Sequence, residues 1–266
     1  MTPGISANAR WAAMLARWSI PDDLVAAAKE APYFFDPTVF IAATDKALAR
    51  AEDTVSDRLA RDALPPGGTV LDVGSGAGAA SLRLRPRRVV AVDPNAEMLA
   101  ALDERATARG IETMLLHARW PDVASSTPPA DVVVCHHVAY NVTDLAAFTS
   151  ALTQHAMRRV VLELTALHPS AWMAPYWEAL HGLRRPEQPT AGDAVAVLAE
   201  LGLDVHQERW SRAIEMIGEA GDDSALRIAR RLCLSPDRLP ELRGVLAEFP
   251  PPTKREVVTL WWDRGE

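Results

Sequence analysis

From residue 69 onward the chain alternates short apolar runs with longer stretches of helical period, and this alternation restricts the fold more than any other feature. Residues 69–73, 89–92, 112–116, 132–135 and 160–164 are runs dominated by Val, Leu and Ala. Between them, 79–84, 95–109 and 145–156 carry the spacing of helices. Strands that read as nearly continuous apolar runs, separated by helices, fit a parallel sheet covered on both faces. Further on, 192–201 reads as a helix, 203–210 as a strand, 222–234 and 236–248 as helices, and 254–262 as a closing strand. The expected core is therefore α/β: a doubly wound, mostly parallel seven-stranded sheet.

Ahead of the core, 9–19 and 22–30 read as short helices, the second opened by Pro21, Asp22 and Asp23. From Thr38 the residues Phe40, Ile41, Thr44, Leu48, Ala51, Val55 and Leu59 recur at three- and four-residue steps, which predicts one long amphipathic helix. The breaker LPPGG at 64–68 ends it. Two parts are expected, an N-terminal helical cap over 1–64 and a core over 65–266, with an insertion at 166–190 after the fifth strand.

At 48% hydrophobic and 24% charged residues, the composition is that of an ordinary soluble globular protein. No apolar run approaches the roughly 18 residues of a membrane span. The first residues place Arg10 and Arg17 among apolar ones and form no signal-peptide core, so a cytoplasmic protein without a membrane partner is expected. Cys135 and Cys233 are expected to be reduced thiols. A net charge of −7 argues against a broad nucleic-acid surface, leaving only local patches, at Arg83, Arg85, Arg87 and Arg88 or at Arg227 to Arg231. A small-molecule partner is favoured, with homo-oligomerisation open.

The first strand runs into VLDVGSGAGAA, residues 70–80. Bare backbone at a strand-to-helix turn lets the main chain approach a ligand, and a helix N-terminus would add free N–H donors. Gly74, Gly76 and Ala79 satisfy a dinucleotide-binding pattern, with Asp93 following at the end of the next strand. The acid in front of the loop separates the candidates. A carboxylate at Asp72 would repel a pyrophosphate and attract an ammonium or sulfonium group.

VLDVGSGAG followed by VVAVDPNAEML resembles the first two motifs of class I S-adenosylmethionine-dependent methyltransferases, and the similarity runs from about Thr69 to Thr165. The resemblance implies the Rossmann-like methyltransferase fold and S-adenosylmethionine as cofactor. It places Gly74, Ser75, Gly76 and Gly78 beneath the methionine and ribose, and Asp93 on the ribose hydroxyls, where two acceptor oxygens can meet a vicinal diol. It adds Pro94 and Met98 to the cofactor-binding set. Asp93 before Pro94 also suits a helix N-cap with proline first, and Asp72 could instead be a turn residue.

After the third strand, His117-Ala118-Arg119-Trp120 stands where the family has an acid and a small residue beside the adenine, and the acid is missing. Ala118 and Arg119 could offer main-chain groups, and Trp120 could stack on the base or belong to the core. The fourth strand ends in DVVVCHHVAYNV, where such enzymes face the methyl group and the acceptor. Adjacent strand residues point to opposite faces. Its position in the family's motif assigns His136 to the cofactor side, with His137 and Tyr140 nearer the acceptor; His136, His137 and Tyr140 are the catalytic candidates, either histidine serving as the base. No metal is expected, because these neighbours cannot converge on one ion. The NPPY or DPPY tetrad of enzymes acting on exocyclic amines is absent.

Acceptor recognition is expected outside the common core, from Tyr33, Phe34 and Phe35 and from the 166–190 segment with Trp172, Tyr176, Trp177, His168 and His181. The leading expectation is methyl transfer to a small molecule at oxygen, with a histidine taking the proton. The alternatives are a methyltransferase for RNA or protein, a silent cofactor-binding protein and a dehydrogenase.

Overall fold

The computed structural model describes residues 4–28, 30–33, 36–214 and 222–264. Four helices come first: α1 (Ala7–Ala16), α2 (Asp22–Ala27), α3 (Pro37–Ala49) and α4 (Val55–Ala63). The sheet region follows with β1 (Thr69–Val73), β2 (Arg88–Asp93), α5 (Ala96–Thr107), β3 (Glu112–His117), β4 (Ala130–His136), α6 (Leu145–His155) and β5 (Ala156–Thr165). It continues through α7 (Ala174–His181), α8 (Ala191–Glu200), β6 (His206–Ala213), α9 (Asp222–Arg231), α10 (Leu239–Glu248) and β7 (Lys254–Asp263). The strands form one seven-stranded sheet in the order β3-β2-β1-β4-β5-β7-β6. Strands β1 to β5 pair in parallel, and β7 runs antiparallel to both β5 and β6.

The two faces of the sheet bury different residues of the same strands, as the pleat requires. On one face Val70, Val132, Val134 and Val161 pack under Leu59 and Ala60 of α4. On the other, Leu71, Val133, Cys135 and Leu162 join Trp11 of α1, Phe148 of α6 and Leu198 of α8. A separate apolar cluster ties α7 to α9 and α10 and reaches Ile20 beside α2, through Met173, Tyr176, Trp177, Ile228, Leu232 and Leu242. The wall over the sheet is thus assembled from three stretches distant in sequence.

Two elements differ from the reading of the sequence. The long helix expected from Thr38 is two helices, α3 and α4. Thr54 caps α4 in a reciprocal box with Asp57. Arg83 donates to the carbonyls of Ala47, Arg50 and Glu52 at the broken end. A capping box is worth about 1 kcal/mol, and satisfied carbonyls remove the reason for the first helix to continue. The helix expected at 79–84 is a run of turns closing in a single 3₁₀ turn, Leu82–Leu84. Arg85 follows at φ 52. Pro86 supplies no N–H and disfavours a helical residue before it.

Arg83 was also part of a candidate nucleic-acid patch. Its side chain is only 7% exposed and its Nε donates to Asp57 at 2.8 Å, so it is an internal clamp. No helix among the described residues is long and apolar enough to cross a membrane. Cys135 and Cys233 are free thiols.

Candidate functional site

In this sheet the chain moves outward from β1 to β2 and β3, then crosses back to β4 on the other side of β1. Ligands of open α/β sheets bind beyond the carboxyl ends of the strands at such a switch point. A cavity of about 1800 Å³ opens there. Its floor is Asp72 to Ala77 and His136 to Val138, its rim includes Asp93 to Asn95, and its far wall comes from the 166–190 segment, from Arg212 to Ile214 and from residues of α9.

The three glycines of the loop serve different ends. A Cβ on Gly74 would lie 2.3 Å from Val138 Cγ2, and one on Gly78 would lie 2.7 Å from Leu82 Cδ1 and 3.1 Å from the Leu102 side chain. These two are bare so that the loop can pack onto its own protein. Gly76, at φ +51, would project a Cβ into open space. Gly74 and Gly76 line the cavity and Gly78 does not; of the two, Gly76 is the one with open space where a Cβ would stand. No helix N-terminus stands behind the loop, contrary to expectation; the Gly76 N–H instead donates to Asp93 Oδ2 at 2.9 Å.

Asp93 therefore ties the two motifs together. Its Oδ1 accepts from the Asn95 N–H at 2.8 Å. The N-cap of α5 is Asn95, whose side chain accepts from Glu97 and Met98, so the reading of Asp93 as the cap is corrected by two residues. Each Asp93 oxygen retains a lone pair at the cavity rim, as a diol partner requires. Pro94 is exposed at that rim, whereas Ser75 and Met98 are buried against it.

Asp72 departs furthest from its expected part. It is 1% exposed and its Oδ2 accepts from Ser81 Oγ at 2.6 Å. Burial pushes its carboxyl up to about 6, against the opposing pull of Ser81 and His136. The acid lies in the floor of the cavity rather than projecting into it, and near neutral pH its charge is only partly secured.

At the end of β3 the Ala118 N–H is taken by the Asp93 carbonyl at 3.2 Å, which removes it as an adenine donor. Arg119 remains exposed at the cavity. Trp120 is a core residue with one edge on the cavity. Its Nε1 donates to Phe148 O at 3.3 Å and His155 packs edge-on against it at 4.9 Å.

The histidines converge, although alternation along a strand separates neighbours. β4 ends at His136, and His137 follows in the left-handed region at φ 60. This backbone turn brings both rings to Glu163, which pairs with His136 in the strand register. His137 Nε2 lies 2.9 Å from Glu163 Oε1, and His136 Nδ1 lies 3.9 Å from Oε2. Arg212 Nη1 is 3.3 Å from the same Oε1 and 3.3 Å from His137 Nε2. The short Nε2 to Oε1 distance puts the His137 proton on Nε2, donating to Glu163, and leaves Nδ1 as its free acceptor.

Glu163 was missed from the sequence, although a lone acid inside the apolar run of β5 was a signal. It is 2% exposed. A chain of donors runs to its Oε2: Trp210 Nε1 to Thr259 Oγ1, Thr259 to Ser56 Oγ, and Ser56 to the carboxylate at 2.6 Å. Burial alone would raise the Glu163 pKa, but His136, the His137 hydrogen bond and Arg212 outweigh it and hold the carboxyl well below its usual range. Burial also pulls His137 down, and the shared carboxylate does not reverse it. The pair at neutral pH is an ionised Glu163 with a neutral, oriented imidazole.

Tyr140 does not belong with the proton carriers. It is buried, its hydroxyl donates to Thr165 O at 2.8 Å, and burial pushes its pKa well above the ordinary range. It is wall, stacked on Trp11. Of the acceptor candidates, Tyr33, Trp172 and Trp177 line the cavity. Tyr33 is 56% exposed, with its hydroxyl accepting from the Ile20 N–H at 3.1 Å. His181 does not line it, because its Nε2 is bound to Leu232 O at 2.7 Å in the α7–α9 cluster. Phe34 and Phe35 lie outside the described residues. The candidate basic patch of Arg227 to Arg231 faces the cavity through Arg227, Arg230 and Arg231. Among the described residues no group of three or more His, Cys, Asp or Glu gathers as a metal site.

Residues 70–172 match the family described as a methyltransferase domain. No protein of curated function matches the chain by sequence. Among solved structures, the YcgJ protein of Bacillus subtilis superposes with a TM-score of 0.54 at 17% identity, covering 79% of this chain and 98% of its own. A S-adenosylmethionine-dependent methyltransferase of Thiobacillus denitrificans, solved with S-adenosylhomocysteine, gives 0.53 at 18% identity over 86% of this chain and 99% of its own. The cyclopropane synthase MmaA2 of Mycobacterium tuberculosis gives 0.54 at 16% identity over 92% and 99%. At these identities the structural likeness concerns the fold.

Proposed function

Since the chain carries the methyltransferase domain and fold of the class I S-adenosylmethionine-dependent enzymes, we propose that it transfers a methyl group to an oxygen of a small-molecule acceptor. The observation that carries this reading is the cavity. At about 1800 Å³ it exceeds the roughly 300–1,000 Å³ of single-ligand pockets, and it runs without a break from Gly76 and Asp93 past His137 to Trp172. Such a space suits a donor and an acceptor side by side.

The chain's own residues fit the donor at one end. Gly76 leaves open space over the loop, Asp93 keeps acceptor capacity for two hydroxyls, and Met98 and Arg119 flank the rim. When bound, S-adenosylmethionine supplies a methyl carbon already activated by its sulfonium. What remains for the protein is alignment and removal of the acceptor proton. His137 is suited to the second task. Glu163 fixes its tautomer, leaves Nδ1 able to receive a proton, and stabilises the imidazolium that results. Glu163 stays ionised throughout because Ser56 and Arg212 hold the same carboxylate.

The test is transfer of labelled methyl from S-adenosylmethionine to a panel of hydroxylated metabolites, beside calorimetry with S-adenosylhomocysteine. His137→Ala is expected to lower turnover by about 10²-fold or more while leaving the homocysteine adduct bound as before. Absence of both binding and labelled product would overturn the assignment, and unchanged turnover in His137→Ala would remove the base.

A further inference from the structure

The charged residues of the cavity are unevenly distributed. Around the glycine loop Asp72 lies in the floor and Asp93 at the rim, with Arg119 near them, whereas the far wall gathers Arg185, Arg212, Arg231 and Lys254. The acids on that side are committed: Glu163 to His137 and Arg212, Glu256 to Arg209 at 2.9 Å, and Asp36 to the Thr38 N–H at the start of α3, beside Arg227 and Arg230. Arg185 is the telling residue. Its guanidinium lies between two indoles, 5.2 Å from the Trp18 ring centroid and 5.1 Å from that of Trp177. Its terminal nitrogens donate to the main-chain carbonyls of Trp18 and Ser19. Among the described residues no carboxylate lies within ion-pair distance of it. A cation held by dipoles and π-faces in an apolar setting keeps most of its field for whatever enters beside it.

His168 reports that field. Its ring stacks on Trp18 at 3.9 Å and meets Tyr140 edge-on at 5.3 Å, and it lines the cavity. Burial holds its pKa down at about 4, and Arg185 and Arg231 push it the same way. Arg231 comes from the opposite side, with its Nη2 on Ser170 Oγ at 3.2 Å. With the Ser170 N–H donating to Nδ1 at 3.2 Å, the neutral ring carries its proton on Nε2 as one more donor. Two guanidiniums and a neutral imidazole thus surround one aromatic-walled end of the cavity.

We propose that the acceptor carries an oxyanion, a carboxylate or a phosphate on a flat apolar body, and that Arg185 and Arg231 select it beside His168. This deepens the methyltransferase reading and rests on it, since the anion would anchor the acceptor at the end remote from the donor. The uneven charge then has a use: the cationic donor and the anionic acceptor are each drawn to their own end, which suppresses reversed binding.

The probes are 2-naphthoate, 2-naphthyl phosphate and the uncharged 2-naphthamide, titrated calorimetrically into the full chain with and without saturating S-adenosylhomocysteine. At least one anion is expected to bind tenfold or more tightly than the amide, and which one distinguishes carboxylate from phosphate. Arg231→Gln and Arg185→Gln are each expected to erase that preference, with S-adenosylhomocysteine affinity kept within twofold as the control for folding. Because Arg185 also ties the segment to Trp18, Arg231→Gln decides if Arg185→Gln fails to fold. Equal affinity for amide and anions, or a preference surviving in Arg231→Gln, overturns the proposal. If S-adenosylhomocysteine fails to bind while the anion preference and its loss persist, the donor assignment falls and the anion site stands.

Discussion

Replacing Asp72 by Asn separates two parts that a buried acid can play. In the fold its carboxyl titrates at about 6, against 3.8 for the ordinary group. Keeping it ionised inside the protein therefore costs about 3 kcal/mol at neutral pH. An Asn amide oxygen still accepts from Ser81 but without the charge, which returns about 1 kcal/mol of that gain. Asp72→Asn should then be more stable than the native chain by about 2 kcal/mol at pH 7.5. The sign follows from linkage: with a raised folded value, the native acid is best tolerated below 3.8 and loses ground as pH climbs through about 6. The variant's advantage should accordingly appear across that window and vanish below it. Urea midpoints of both proteins at pH 3.5, 5 and 7.5 measure it. The functional half is read by calorimetry. A carboxylate in the floor should favour S-adenosylmethionine, with two positive groups, over S-adenosylhomocysteine, with one, and Asn should lower that ratio by about tenfold. A variant less stable than the native chain at pH 7.5 would refute the burial argument. An unchanged ratio would refute the idea that charge at position 72 chooses the ligand.

The loop glycines should split by function. Gly76→Ala should lose about 1–2 kcal/mol from its left-handed backbone and about tenfold or more in S-adenosylhomocysteine affinity. Gly74→Ala should lose about 3 kcal/mol, since overpacking onto Val138 adds to the same strain, and equal stability of the two variants would contradict the assignment. Glu163→Gln should cost about 3 kcal/mol at neutral pH. Because the folded carboxyl lies below its ordinary 4.5, its contribution is present above that pH and lost as pH falls beneath it, so the gap between native and variant denaturation midpoints should close on acidification. Tyr140→Phe should keep turnover and lose about 1 kcal/mol with the Thr165 hydrogen bond; a large drop in turnover would restore the phenol to the chemistry.

The strands and most helices could be read because their signals are local: uninterrupted apolar runs for a sheet buried on both faces, and three- and four-residue spacing for helices. The reading failed at 38–59, where apolar spacing continued through a break made by the Thr54 box and by Arg83 arriving from the far side of β1. It failed again at 79–84, where spacing without room or a permissive successor gave only a turn. In the site, Gly76 and Asp93 were found as partners of one ligand and proved to be partners of each other. Glu163 escaped because nothing near it in sequence shares its bonds; Ser56, His137, Arg212 and Thr259 reach it or its donors from four separate elements.

By itself the sequence determined the parallel sheet, the order of its elements, the glycine loop at the end of β1 and the acid at the end of β2, since each is written in residues that adjoin one another. Only the tertiary structure decided that Asp72 is submerged, that two neighbouring histidines share one carboxylate, and that cations collect at one end of the cavity. Burial and field strength depend on every group within a few ångströms, and in a folded chain those groups come from anywhere along it.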